Sequence, residues 1–151
     1  MLFKVLDSKT EHEAADENVL SIYLTTKALY HSVEIYYSRM FNPSAPLYSE
    51  DGHAAGIIST TDRYYQVFKR PRSEPPPTKI WPLPLVLAAI EAKDSIYRGW
   101  AVQKMRDYAQ AGKHYVNACA FAEEVQAREE RRNSRVDLAA ISKRMGESFI
   151  I

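Results

Sequence analysis

Four histidines, at positions 12, 31, 53 and 114, and a single cysteine are the residues most suited to metal binding or nucleophilic catalysis. No two histidines are four residues apart, the spacing that places two metal ligands on one helix face. His31 lies three residues before Glu34, which is typical of a surface pair on a helix. Cys119 lies among small residues in "NACAFAEE", which indicates a buried packing role rather than a thiol nucleophile. We therefore predict no catalytic residue, no metal site and no cofactor.

Motifs that bind phosphate or activate a serine are also missing from the sequence. It contains no G-x-G-x-x-G, G-x-x-x-x-G-K-[ST] or G-x-S-x-G segment, and its five glycines are too few for a phosphate-cradling loop. An enzyme remains one alternative, with a site assembled from His31, His114 and carboxylates. That alternative requires a deep polar pocket.

A short basic segment is one candidate for binding a partner. The segment interleaves basic and aromatic residues: Arg63, Tyr64, Tyr65, Phe68, Lys69, Arg70 and Arg72. One interpretation is a clamp that stacks and neutralises single-stranded nucleic acid. The other is a patch that faces an acidic partner. The second is favoured because the whole chain has 20 basic and 19 acidic residues, and its first 62 residues carry 4 basic and 9 acidic side chains.

Length and hydropathy predict one soluble, intracellular domain spanning residues 1–151, with 46% apolar and 26% charged residues. The opening "MLFKVLDSKTEHE" turns acidic before a long apolar stretch develops, which is unlike a signal peptide. The most apolar run, "LPLVLAAI", has eight residues, whereas a membrane span needs about 20.

The elements that position these residues are predicted to be helices. The first spans 11–41, begins at a capping box over Thr10–Glu13 and ends before Asn42-Pro43. Two apolar stripes follow its surface: Ile22, Thr26, Leu29, Val33, Tyr36 and Met40 form one, and Val19, Tyr23, Tyr30 and Tyr37 the other. Because the apolar face is so wide, we expect this helix to be surrounded on more than one side.

Residues 43–82 are predicted to connect this helix to the next one. Residues 43–60 are loop-like, and strand-forming residues favour a small β-hairpin at about 55–69, with a short helix capped by Ser59-x-x-Asp62 as the alternative. The prolines of 70–79 predict an extended connector, with a docking ligand for an SH3-like groove as the less favoured interpretation. Pro82 and Pro84 fit the first turn of the following helix.

The C-terminal half is predicted to be one long helix over 83–132, or a helical hairpin that turns at Gly112. Charged residues near its end are interpreted as a solvated face: Glu123, Glu124, Arg128, Glu129, Glu130, Arg131 and Arg132. A short helix and tail occupy 135–151, with Ser134-x-x-Asp137 as the cap and Gly146 as the end. We expect the apolar tip Phe149–Ile151 to insert into a groove of a neighbouring chain.

These elements predict a mainly α fold: a helical bundle with extended proline-rich and C-terminal segments and one small β-hairpin. Partner binding is assigned to the apolar tip and the basic segment, namely Phe149, Ile150, Ile151, Arg63, Lys69, Arg70 and Arg72.

Three stretches resemble head–tail connector (adaptor) proteins of tailed phages. "DENVLSIYLTTKALYHSVEIYYSRMF" is similar to the opening helix of that family, with Asp16, Leu20, Val33-Glu34, Arg39 and Phe41 at the matching positions. "LYSEDG" is similar to the family's turn, and "LPLVLAAIEAKDSIYRG" to its later helix. The resemblance covers roughly residues 12–100, and the charged extension at 101–135 departs from the shortest members.

The resemblance implies a non-enzymatic virion protein that forms a homo-oligomeric ring beneath the portal, in the neck of the particle or, before assembly, in the host cytoplasm. Its partners would be the portal and tail proteins, with packaged DNA passing through the ring without specific binding and with no membrane contact. The alternative from the residues themselves is a small helical nucleic-acid-binding subunit of a nucleoprotein complex.

Overall fold

A computed structural model describes residues 17–68 and 82–146, and within these ranges the protein is built from α-helices and one 3₁₀ turn. The mainly α prediction is confirmed. The helices are α1 (Glu17–Phe41), α2 (Asp51–Val67), α3 (Pro82–Glu91), α4 (Ser95–Asp107), α5 (Lys113–Arg132) and α6 (Leu138–Arg144), with the 3₁₀ turn at Ala109–Ala111 between α4 and α5.

Helix α1 ends where the sequence predicted. The last residue of α1 is Phe41, and the backbone N–H of Asn42 still bonds the carbonyl of Ser38 at 2.8 Å before Pro43 stops the helix. The predicted capping box at Thr10–Glu13 lies outside the described residues.

The prediction for the segment after α1 was wrong. Residues 51–67 form α2 rather than a loop followed by a β-hairpin, and Ser59 and Asp62 lie inside this helix instead of capping one. The residues of α2 that face the core are Ala54, Ile57, Ile58, Thr61 and Tyr64, which recur every three to four positions. Strand propensity is overridden here because this helical face is buried against α1 and α3.

Helix α3 lies at the centre of the fold. Every residue from Pro84 to Glu91 is buried, as expected for a helix that is apolar all round. Pro82 and Pro84 occupy its first turn, as predicted. The N–H groups of a first turn have no partner within the helix, so a proline there loses no hydrogen bond.

Of the two alternatives left open for residues 83–132, the structure has the helical hairpin, with one further break, and not a single long helix. Asp94 interrupts the periodicity by capping α4, since its carboxylate accepts a hydrogen bond from the N–H of Ile96 at 2.8 Å. Gly112, in an extended conformation, separates α4 from α5, and the two helices pack against each other.

The last helix is shorter than predicted and is capped by a different residue. Helix α6 follows Asp137, which accepts hydrogen bonds from the N–H groups of Ala139 and Ala140, so the N-cap is Asp137 rather than Ser134. The chain turns at Gly146, whose φ of 71° is in the left-handed region that suits glycine.

All six helices contribute to one main core, and a smaller cluster of Tyr23, Leu24 and Tyr64 joins α1 to α2. Cys119 belongs to the main core, as predicted, and burial raises the pKa of its thiol. Within the described ranges, no helix combines the length and hydropathy needed to cross a bilayer.

Candidate functional site

Helix α1 has two different faces. One is packed into the bundle at positions three to four residues apart: Leu24, Ala28, Ser32, Ile35 and Arg39. This face contacts α2 and α3. The packed face accounts for only part of the apolar surface seen in the sequence.

The other face of α1 carries an apolar stripe that stays largely exposed within the described residues. Seven large apolar side chains, 41 to 72% exposed, make up this α1 stripe: Val19, Ile22, Tyr30, Val33, Tyr37, Met40 and Phe41. The helix is about 37 Å long, and the stripe runs along most of its length. The largest apolar patch of a typical monomer covers about 300–600 Å² and often has a binding role. The expectation that α1 is surrounded on more than one side is not met within the described part of this chain.

A second apolar surface lies between α2 and α4. An open groove of about 610 Å³ is lined by Ala55, Gly56, Ile58, Ser59, Asp62, Ile96, Tyr97 and Trp100. At its edge Ile96 is 74% exposed. We call this surface the α2–α4 groove.

A buried charge network fixes the position of α1. Arg39 donates from Nε to Glu91 Oε1 at 2.6 Å and from Nη1 and Nη2 to the two oxygens of Glu129 at 2.9 and 3.2 Å. Arg135 donates from Nη2 to the same Glu91 oxygen at 3.1 Å. The network thus balances two positive and two negative side chains, all of them 5% exposed or less.

The charge network connects four parts of the chain: α1 through Arg39, α3 through Glu91, α5 through Glu129, and the α5–α6 loop through Arg135. Glu129 Oε1 also accepts a hydrogen bond from the N–H of Val136 at 3.0 Å, which holds the loop before α6. Arg–carboxylate pairs with two parallel hydrogen bonds are directionally specific. The network therefore sets the angle at which α1 presents its exposed stripe.

Next to this network is a cavity of about 340 Å³ between the end of α1 and the loop before α6. Tyr36, Met40, Pro43, Val136 and Leu138 supply most of its apolar lining. Met40 belongs to both the cavity and the α1 stripe. The cavity therefore extends the apolar surface at the C-terminal end of α1.

A histidine pair joins α1 to α2. Nδ1 of His31 lies 3.0 Å from Nδ1 of His53, and the ring of Tyr30 packs edge-on against both imidazoles. His31 was predicted to form a surface pair with Glu34, but its partner is His53. Burial lowers the pKa of His31, and the neighbouring His53 and Lys27 lower it further.

The stability of the protein is expected to fall in acid because of this pair. The lowered pKa of His31 means that the unfolded chain takes up the proton first as the pH drops below 6.5. The free energy of unfolding should therefore be highest above pH 6.5, decrease below it, and level off once the folded protein is protonated too. Lys27 on α1 and His53 on α2 are the neighbouring groups that oppose protonation.

Thermal melts followed by circular dichroism test this prediction. Between about pH 8 and about pH 5, the decrease in Tm should be smaller for His31→Gln than for the wild type. His114→Gln, a change at an exposed histidine of α5, is the matched control and should behave as the wild type. Equal pH dependence in all three proteins would contradict the prediction.

The predicted partner-binding residues are mostly beyond the part of the chain that the structure describes. Lys69, Arg70, Arg72 and the tip Phe149–Ile151 all lie outside the described residues, as does the proline connector. Arg63 is half-buried on α2. These assignments remain predictions.

The aromatic residues of the basic segment pack against other parts of the chain. Tyr64 is buried, with the ring of Phe68 at a centroid distance of 4.7 Å, and Tyr65 stacks on Tyr108 at 5.3 Å. Burial raises the pKa of Tyr65, and the ammonium of Lys104 lies over its ring. A nucleic-acid clamp would need these rings at the surface.

Sequence reasoning missed the charge network. Glu129 was interpreted as part of a solvated face, and this was wrong, since only 2% of the residue is exposed. The pattern did contain a signal: Glu129 continues the buried series Ala118, Ala122 and Val125, just as Arg39 continues the buried series of α1. A charged residue in phase with a buried stripe indicates a buried ion pair.

No group of three or more histidine, cysteine, aspartate or glutamate side chains within the described ranges is arranged to hold a metal ion. Comparison of the chain with protein-family models, with curated proteins and with solved structures found no match in any of the three.

Proposed function

We propose that this protein is a non-enzymatic structural subunit of a multi-chain assembly, and specifically a head–tail adaptor ring protein that joins the portal of a phage to its tail. The observation that carries the proposal is the exposed α1 stripe. The resemblance of α1 and α3 to adaptor proteins supplies the identity of the assembly.

The α1 stripe favours association on energetic grounds. Complete burial of a large apolar side chain contributes roughly 1.5–3 kcal/mol, and the stripe has seven such side chains. Even partial burial against a partner would offset a large part of the cost of association, which is about 4–15 kcal/mol. An apolar surface of this kind favours non-specific aggregation if it is left in water.

Two separate apolar surfaces on one chain suit a ring. If the α1 stripe of one subunit packs into the α2–α4 groove of the next, the contact is head-to-tail, and it gives a ring when the rotation between successive subunits closes. The charge network supports this arrangement because it fixes α1 to α3 and α5 before association. A pre-organised surface lowers the entropy cost of binding.

Some residues that carry the resemblance belong to the α1 stripe, and another belongs to the charge network. Val33 and Phe41 belong to the exposed α1 stripe, whereas Arg39 belongs to the charge network. The alternative, a nucleic-acid-binding subunit, has less support because the aromatic rings near Arg63 are engaged in packing within the chain.

Self-association provides the direct test. Replacing Ile22 and Val33, which are 67 and 62% exposed, with Glu should weaken association at least about a hundredfold while leaving the helical fold intact. The change places two charges on a surface that has to be dehydrated. Native mass spectrometry and light scattering would measure the mass of the assembly, and far-UV circular dichroism the fold.

Val116→Glu is the matched control, since Val116 is 51% exposed on α5, outside both apolar surfaces. It should assemble as the wild type does. A wild-type protein that stays monomeric at every concentration, and is missing from purified virions by peptide mass spectrometry, would refute the proposal. Salt-dependent binding to single-stranded DNA that is lost on neutralising Arg63, Lys69, Arg70 and Arg72 would favour the nucleic-acid alternative.

A further inference from the structure

Two imidazoles converge on one point between α1 and α2, although His31 and His53 are 22 residues apart in sequence. Their Nδ1 atoms face each other at 3.0 Å, and both rings are half-buried. A shared proton gives one N–H···N hydrogen bond at this distance, with one imidazole donating and the other accepting. The same two nitrogens could instead both present lone pairs to a cation.

The separation of the two nitrogens suits a chelated metal ion. Metal–nitrogen bonds to imidazole are about 2.0–2.1 Å long. Two such bonds place the nitrogens about 2.9 Å apart at a right angle and about 3.3 Å apart at a tetrahedral angle. The observed 3.0 Å lies between these limits, closer to the right angle of tetragonal coordination.

We propose that His31 and His53 form a two-histidine binding site for a divalent first-row transition metal ion, with the strongest preference for Cu²⁺. Imidazole is a ligand that Cu²⁺, Ni²⁺ and Zn²⁺ share, and Cu²⁺ heads the affinity order and accepts tetragonal geometry. Water completes the coordination. The pair differs from the groups of three or more ligands that hold a metal within a protein core, so binding is of moderate strength.

The surroundings keep the site ready for a metal. Tyr30 restricts the orientation of both rings. Gly56 makes room for His31, since a Cβ at that position would lie 2.5 Å from the imidazole.

A bound ion would connect α1 directly to α2 and replace the single hydrogen bond with two coordinate bonds. The consequence is a metal-dependent increase in Tm, because the ion binds only where folding brings the two histidines together. The ion would also hold the helix that carries the α1 stripe.

The test uses the full chain without a histidine tag, titrated with CuCl₂, NiCl₂, ZnCl₂ and, as a negative control, MgCl₂ at about pH 7.5. Calorimetry and thermal melts report binding, and the electron paramagnetic resonance spectrum of the Cu²⁺ complex reports two nitrogen ligands. His31→Gln and His53→Gln should each weaken Cu²⁺ binding at least about tenfold. His114→Gln should leave it unchanged.

Circular dichroism of each variant separates loss of the site from loss of the fold. If one histidine variant does not fold, the other variant and the electron paramagnetic resonance spectrum of the wild-type Cu²⁺ complex still test the proposed site. Equal Cu²⁺ affinity in the wild type and both pair variants, or a Cu²⁺ spectrum without two nitrogen ligands, would overturn the proposal. Neither result bears on self-association, so the metal site and the proposed adaptor role fail independently.

Discussion

Replacing Arg39 with Met should lower the free energy of unfolding by about 3–5 kcal/mol and the Tm by about 10 °C or more. The reason is electrostatic. Without the guanidinium, two buried carboxylates, Glu91 and Glu129, keep only Arg135 as a cation. The remaining charge is poorly solvated in the protein interior. Denaturant titration and thermal melts measure both quantities.

A second substitution shows whether charge balance is the cause. Adding Glu129→Met to Arg39→Met leaves one buried pair, Glu91 with Arg135, so part of the lost stability should return. Arg106→Met removes a partner from the exposed pair with Glu123 and should change the Tm little. If the double variant were less stable than Arg39→Met by the full cost of a second lost contact, the charge-balance explanation would be wrong.

Truncating Ile90 should have an effect of similar size through packing instead of charge. Ile90 is 1% exposed in the fully buried helix α3, and Ile90→Ala is expected to cost about 2–5 kcal/mol. The cost has two parts, the lost burial of the removed methyl groups and the cavity left behind. Because α3 contacts α1, α2, α4 and α5, neighbouring helices cannot all close in on the gap.

Ile96→Ala is the matched control for this change, since the same residue type is 74% exposed at the edge of the α2–α4 groove. The free energy of unfolding of the Ile96 variant should change by no more than about 0.5 kcal/mol. A weaker self-association of Ile96→Ala without loss of stability would agree with the proposed use of the groove. Equal destabilisation by both substitutions would mean that α3 is not the central packing element.

Several elements could be predicted because local chemistry determines them. Pro43 forbids continuation of α1, and Pro82 and Pro84 are tolerated only in a first helical turn. The apolar run of α3 requires burial on all sides, and the small residues around Cys119 predict close packing. In each of these cases, residues adjacent in the sequence are sufficient to determine the local structure.

The prediction failed where distant partners decide the outcome. Residues 55–67 contain strand formers, and only the packing of Ile57, Ile58 and Tyr64 against other helices selects the helix. The break before α4 combines the local cap at Asp94 with a distant partner, since the N–H of Lys93 donates to the carboxylate of Asp51 at 2.7 Å.

The sequence by itself determined that the described protein is helical, where α1 ends, which segment must be most buried, and that α1 has more apolar surface than one packed face needs. These properties depend on residue type and spacing. Only the tertiary structure decided which face of α1 remains exposed, that Glu129 is buried with Arg39, and that His31 meets His53. The physical reason is that the contacts between His31 and His53 and between Arg39 and Glu129 join residues 22 and 90 positions apart. Periodicity along one helix carries no information about which helix lies opposite it.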